Sequence, residues 1–518
     1  MSWSHLRATN RIAASIASTP RMRVELFETE YLPRVRAIRA RMGEPDAPRL
    51  VRDLGPGDAV LTDTVQLYIN VINYDAMRRD AGVETAASHA RALSFLHLHY
   101  AALDRASDGV GVQRIDYHGP RMHAVVPIDN PGDAATLREA VARALRLARE
   151  TVSLSAAASR DILRGRTGPE FRIGIDIGRC VAIDSGRNDE REPLFIGGAA
   201  NHAAKLAEGS APGIYPSDRV RALFGLRQVG GILAERTSSA SEVEIASLGA
   251  RIVLDPQQLE RRADELRAAM RTHRDVTIGM SGFAFHHHTP PLRSIDYSRL
   301  SPSRSVRMPL VSIFADLDGY TAYVDAAMAN GGTADAVRDL HVIRTELDAV
   351  LQQDFGGRKV RFIGDCIHGV LAVGDDQQTD EGASVERATA CAGALRSSFD
   401  LCIEMLPTAK GLGLAIGFEI GSTPISRIGI RGDRSVRVAS SHATLTSEEC
   451  QAVCSGTETK IGDRAYAVAS PDTRRLFSSN GKSQYLDFDA VVLQSQPAAA
   501  ASGEAEAPVA DNRSYGGF

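Results

Sequence analysis

No Cys-x-x-Cys pair occurs among the six cysteines of this 518-residue chain, and Cys450 and Cys454 have no ligand partners beside them in sequence. That usage predicts reduced, buried thiols in a cytosolic protein, not a disulfide framework or a zinc site. No stretch reaches the roughly 18 uncharged apolar residues of a membrane-spanning helix. The start, Met1 to Pro20, alternates polar, basic and small residues, so no secretory leader is expected. An excess of one charge is missing as well. A net charge of −4 gives no reason to expect a nucleic-acid-binding surface, and the arginines of the first 55 residues read as a solvated helical face or a partner interface. No Ser-His-Asp or Cys-His arrangement supplies a side-chain nucleophile.

The chain is too long for one core, and its 43% hydrophobic and 24% charged residues are those of an ordinary soluble protein. The reading divides it into a helical preface (1–58), a first strand-and-helix domain (59–255), a helix with a Pro/Ser-rich connector (256–307), a second strand-and-helix domain (308–495) and a disordered tail (496–518). His286-His287-His288 in the connector reads as a solvated loop, and His123 and His202 read as packing residues.

Leu310 to Ala315 is an apolar run that ends at Asp316-Leu317-Asp318-Gly319-Tyr320-Thr321. A second apolar pair, Val360 to Ile363 and Ile367 to Val373, is broken by Gly364-Asp365. Two strand-end aspartates suit Mg²⁺ or Mn²⁺, which take oxygen ligands. Paired ions of that kind serve phosphoryl transfer.

A diverged internal repeat runs through both domains. Phe171 to Gly178 (FRIGIDIG) matches Leu414 to Gly421 (LAIGFEIG), and Tyr68-Ile69-Asn70 matches Phe314-Ala315-Asp316. Gly119-Pro120 matches Gly364-Asp365, and the segment of Asn201 and Lys205 matches that of Ser441 and Leu445. The second copy keeps the aspartates, whereas the first has Asn70 and Pro120. The first keeps Asn201 and Lys205, whereas the second has Ser441 and Leu445. Reciprocal loss is the pattern of a pair in which one composite site survives.

These blocks resemble the class III nucleotide cyclases. The resemblance implies an α+β fold of two tandem ferredoxin-like cyclase domains, the first degenerate, forming a pseudo-twofold pair. It also implies two divalent cations held by Asp316, Asp365 and the backbone carbonyl of Leu317. Asp318, Gly319, Tyr320 and Thr321 would cradle the triphosphate, with Phe314 near the nucleotide. Arg427 or Arg431 would reach the β- and γ-phosphates. Asn201 would orient the ribose, and Lys205 takes the place of the family's transition-state arginine without its planar fork. Asp116 and Leu194 fall at the base-reading positions.

The lead-in from Thr289 to Met308 is similar to that of the pyrimidine cyclases of the bacterial Pycsar anti-phage system. That similarity implies a UTP substrate, a cyclic UMP product and a separately encoded effector that reads it. Asp116 argues against adenine but is compatible with uracil, cytosine and guanine. Cytidylate, guanylate and adenylate cyclases of the same fold therefore stay open, as does a silent nucleotide-binding module. So does a homodimer that joins two second domains.

Overall fold

The computed structural model describes residues 3–19, 22–43, 50–55, 57–107, 111–184, 192–249, 255–272, 282–430 and 435–495. Arg431 and the tail 496–518 lie outside them.

Among the described residues, fifteen strands form two mixed sheets. The first holds β1 (Arg23–Leu26), β2 (Asp58–Val71), β3 (Gln113–His118), β4 (Arg121–Ile128), β5 (Phe171–Asp184), β6 (Pro193–Ile196) and β7 (Gly213–Pro216). The second holds β8 (Phe285–His286), β9 (Ser305–Asp318), β10 (Arg358–Ile363), β11 (Cys366–Leu371), β12 (Gly413–Ile428), β13 (Val436–Ala439), β14 (Glu458–Ile461) and β15 (Lys482–Gln484).

The order β3-β4-β2-β5 in one sheet recurs as β10-β11-β9-β12 in the other. The short strands recur too. β1 runs parallel to β2 as β8 does to β9, and β7 runs parallel to β5 as β14 does to β12. Even the irregularity repeats: register slips between Arg114 and Asp116 in β3, and between Lys359 and Arg361 in β10. A bulge at matching places re-aims matching side chains.

Each sheet buries one face under long helices. Val65, Leu67 and Ile69 pack with helices Ala86–Ser107 and Ala134–Ser159. Val311, Ile313, Ala315 and Leu317 pack with helices Thr333–Ala349 and Glu381–Met405. Period-two alternation then sends Tyr68 and Asn70, and likewise Phe314 and Asp316, to the other face.

The repeated Ile-Gly motif has a steric cause. A Cβ on Gly174 would meet the Ala203 carbonyl oxygen of helix Gly198–Leu206 at 2.1 Å, and one on Gly417 would meet the Gln451 amide of helix His442–Ala452 at 2.2 Å. Only glycine lets either helix lie so close to its strand.

The preface is not wholly helical, because β1 extends the first sheet. Its helix His5–Ser18 packs instead on the second half, with Trp3 Nε1 donating to Ser398 Oγ at 2.8 Å and Arg11 paired to Glu346 at 2.6 Å. The connector is also built in. Leu292, Ile295, Tyr297 and Leu300 are buried against the second sheet. Among the described residues no helix is long and apolar enough to cross a membrane. All six cysteines are free.

Candidate active site

Asp316 stands where β9 leaves its sheet, and Gly319, at φ +81°, turns the chain into helix Tyr320–Asn330. Asp365 occupies the tip of the β10–β11 hairpin beside Gly364, whose φ is +61°. β11 pairs with β9 from Ile367 opposite Ala315 to Leu371 opposite Val311, which brings the tip to the end of β9. Both aspartates line one cleft of ≈ 2430 Å³.

Burial, then Asp318 and Glu448, push the Asp316 carboxyl up; burial, then Asp316 itself, pushes Asp365 well up. Two carboxylates that repel each other's charge are the donor set a hard cation relieves. Among the described residues no group of three or more His, Cys, Asp or Glu side chains gathers as a metal cluster. A cation at Asp316 and Asp365 would complete its shell from main-chain carbonyl, substrate phosphate and water, the habit of Mg²⁺. The residues fit that kind of ion.

Leu317 buries its side chain in the core and offers the cleft its main chain. Asp318 accepts from the Gly456 amide at 2.9 Å, so it also ties the turn to the neighbouring loop. Tyr320 and Thr321 line the cleft. The buried Tyr320 hydroxyl has no hydrogen-bond partner among the described residues. Phe314 is 1% exposed and stacks on His368 at 4.3 Å.

The other wall belongs to the first half. Asn201 Nδ2 donates to Thr321 Oγ1 at 2.6 Å, and the Gly198 amide donates to Asp325 Oδ1 at 2.8 Å. Helix Gly198–Leu206 is thereby seated on helix Tyr320–Asn330. Lys205, one turn beyond Asn201, is exposed and lines the same cleft. Asp116 Oδ1 accepts from Arg361 Nη1 at 2.8 Å across the two halves. Leu194 is buried at the cleft wall. Arg427 lines the cleft.

The matching positions of the opposite half are satisfied internally. Asn70 Nδ2 donates to the Ala207 carbonyl at 3.1 Å, and Ser441 caps its helix by accepting from the Thr444 amide at 3.1 Å. Beside Pro120, Arg121 pairs with Glu448 at 2.8 Å. His123 is a packing residue as expected, bonded through Nε2 to Gln66 at 2.6 Å. His202 is not, for its exposed ring lies 3.2 Å from Asp176.

Sequence reasoning missed several cleft residues. Glu192, from the first half, meets Lys359 at 3.2 Å, Arg437 at 3.0 Å and Arg344 at 3.6 Å, all from the second. Burial alone would raise the Glu192 carboxyl, but Lys359, Arg344 and Arg437 outweigh it and hold the group below the usual range. Tyr68 and Arg361 also line the cleft. The repeat alignment did carry a signal for Tyr68, since it faces Phe314 in the matching block.

Compared with known proteins, the chain matches no family model. A crystal structure of a class III adenylyl cyclase-like ATP-binding protein from Pseudomonas aeruginosa, 35% identical, superposes with a TM-score of 0.83, covering 95% of this chain and 100% of that one. The fold is therefore that of the class III nucleotide cyclases. A uridylate cyclase of a Rhizobium species is 44% identical over 502 residues, 95% of each protein. A uridylate cyclase of Pseudomonas aeruginosa is 37% identical, covering 100% of this chain and 95% of its own. The chain belongs to the uridylate cyclase family of nucleotide cyclases.

Proposed function

We propose that this enzyme converts UTP to 3′,5′-cyclic UMP and pyrophosphate at one composite site. The 3′-hydroxyl oxygen bonds to the α-phosphorus, the bond to the pyrophosphate oxygen breaks, and the hydroxyl proton leaves. The observation that carries the composite site is the Asn201–Thr321 hydrogen bond, which joins a first-half helix to the turn after Asp316. Full-length relatives bearing the name uridylate cyclase support the choice of UTP.

In this reading the chain consists of a preface (1–58), a degenerate cyclase domain (59–255), a connector (256–307), a catalytic domain (308–495) and a tail (496–518). The two cyclase domains pair about a pseudo-twofold axis. The matching strand orders and the reciprocal losses at Asn70/Asp316 and Asn201/Ser441 support this division.

Nucleophile and electrophile share one molecule, so the protein's task is to fold the triphosphate into attack geometry. Amides of Asp318 to Thr321, at the start of an 11-residue helix, present fixed positive dipole to the phosphates. Asn201 orients the ribose, and Lys205 places its ammonium at the α-phosphate. Arg427 or Arg431 serves the outer phosphates. Asp316, Asp365 and the Leu317 carbonyl hold Mn²⁺ or Mg²⁺, which supplies a lowered pKa at the hydroxyl and counter-charge for the phosphates.

The six free cysteines agree with a reducing, cytosolic setting. By its resemblance to the Pycsar cyclases, the product is assigned to anti-phage signalling through a separately encoded effector.

The test is incubation of the full chain with each of UTP, CTP, GTP and ATP and Mn²⁺, followed by product chromatography. Cyclic UMP as the main product supports the proposal, and its absence overturns it. Adenylate cyclisation is the second reading, because the solved relative is described as ATP-binding.

A further inference from the structure

Helix Gly198–Leu206, which carries Asn201 and Lys205, is anchored at both ends. The second half holds its front, through Asp325 on the Gly198 amide and Thr321 on Asn201. The first half holds its back. Arg172 Nε donates to the Leu206 carbonyl at 2.8 Å, and Asn70 Nδ2 donates to the Ala207 carbonyl at 3.1 Å. Lys205 stands immediately before these two carbonyls in the chain.

The last carbonyls of a helix have no partners within it, and a cation rich in N–H donors suits them. Arg172 is such a group, and it is 3% exposed. Its Nη1 donates to the Ala211 carbonyl at 3.2 Å and its Nη2 to the Arg236 carbonyl. The guanidinium also lies 3.5 Å from the centre of the Tyr215 ring. Burial holds its pKa below the ordinary value, so the contacts are kept at a cost.

The second half is built otherwise at the same register. Asn70 lies opposite Arg172 across β2 and β5, as Asp316 lies opposite Ala415 across β9 and β12. Ala415 has no side-chain donor, and Asp316 accepts, from Gln451 Nε2 at 3.4 Å. The matching helix there, His442–Ala452, has Ser441 and Leu445 in place of Asn201 and Lys205. The paired donors thus occur under the helix that brings a cation to the cleft.

Resting on the uridylate reading above, we propose that Asn70 and Arg172 are positioning residues that act in turnover through Lys205. They fix the back of the helix so that the Lys205 ammonium meets the α-phosphate in the transition state. A lysine is a point charge on a flexible stem, without the arginine fork, so its backbone position decides where the charge can go. A displacement of about 1 Å at such a group can cost about 100-fold in rate.

The experiment is a double-mutant cycle on the full chain with UTP and Mn²⁺, run below every variant's melting temperature. Asn70→Leu keeps the bulk and removes the donor. It is combined with Lys205→Ala, and kcat and KM are measured for wild type, both single variants and the double. Asn70→Leu is expected to lower kcat about 10- to 100-fold with KM little changed. In the Lys205→Ala background the same change should cost less than about 2-fold, because the group it positions is gone.

A side chain that only stabilised the fold would lower kcat by the same factor in both backgrounds, and that result overturns the inference. So does a Lys205→Ala enzyme with wild-type kcat. If Asn70→Leu does not fold, the same cycle with Arg172→Lys decides, since lysine keeps the charge and loses the fork. A wild type that makes no cyclic UMP overturns the uridylate reading, and the inference with it. A wild type that makes cyclic UMP and shows equal factors overturns the inference alone.

Discussion

At the residue scale the account turns on two aspartates that sit badly without positive charge. Burial and proximity push both carboxyls up, so each is costly to ionise until a cation or a proton arrives. Asp316→Asn keeps the size and removes the charge. We expect turnover of UTP to drop at least about 1000-fold, the scale of losing a principal electrostatic group from a phosphoryl-transfer site. The melting temperature should hold or rise, because a repulsive buried charge has been removed. Activity assays with added Mn²⁺, alongside a thermal melt, check both halves of that statement. These two residues were legible in the sequence because turn chemistry marks them: each aspartate follows an apolar strand, and a glycine that tolerates positive φ sits beside it in the turn. The His368 ring stacked on Phe314 was not legible, since strand alternation fixes which face a ring takes but not what covers that face. Arg361 was illegible for a different reason. Its partner is Asp116, 245 positions away, and such a contact exists only once two sheets are placed against each other.

At the scale of elements, the repeated Ile-Gly motif explains how a helix in one half can carry residues for a site in the other. Helix Gly198–Leu206 lies against β5 only because Gly174 has no Cβ, and it holds Asn201 and Lys205 on its outer side. Gly174→Ala would drive a methyl into the Ala203 carbonyl and lift that helix. The expected result is a loss of about 1–3 kcal/mol in stability, as for overpacking elsewhere, and a fall in kcat larger than the stability loss explains. Chemical denaturation and steady-state kinetics on the same preparation test this. A variant that melts earlier but keeps kcat would show that the helix does not position the reaction. The helices were readable in sequence, those of the preface included, but the preface's strand was not. The short β1 has no periodicity long enough to announce it, and its strand identity comes from pairing with β2.

At the scale of the whole molecule, the halves are held by charge as well as by shape. Glu192 from one half is clasped by Lys359, Arg344 and Arg437 from the other. Removing the carboxylate leaves the cations facing one another in a largely buried place. Glu192→Gln should therefore destabilise the fold by about 3 kcal/mol, the usual cost of breaking a buried ion pair from one side. The sign with pH follows from the lowered carboxyl. Glu192 contributes stability above its unfolded value near 4.5, and that contribution is lost as the solution is acidified below it. Wild type and Glu192→Gln should thus differ in melting temperature at pH 7 and converge towards acid. A constant gap across that range would contradict the assignment.

The central claim is that both halves build one reaction centre. Steady-state turnover of UTP by Asn201→Ala tests it most directly, with Ser441→Ala as the matching change in the opposite half. The account predicts a loss of about 100-fold or more in kcat for Asn201→Ala, the scale of one positioning group. Ser441→Ala should stay near wild-type turnover with only a helix cap's worth of stability, about 1 kcal/mol, removed. Full activity in Asn201→Ala would mean that the second half works without the first, and the composite site would be wrong.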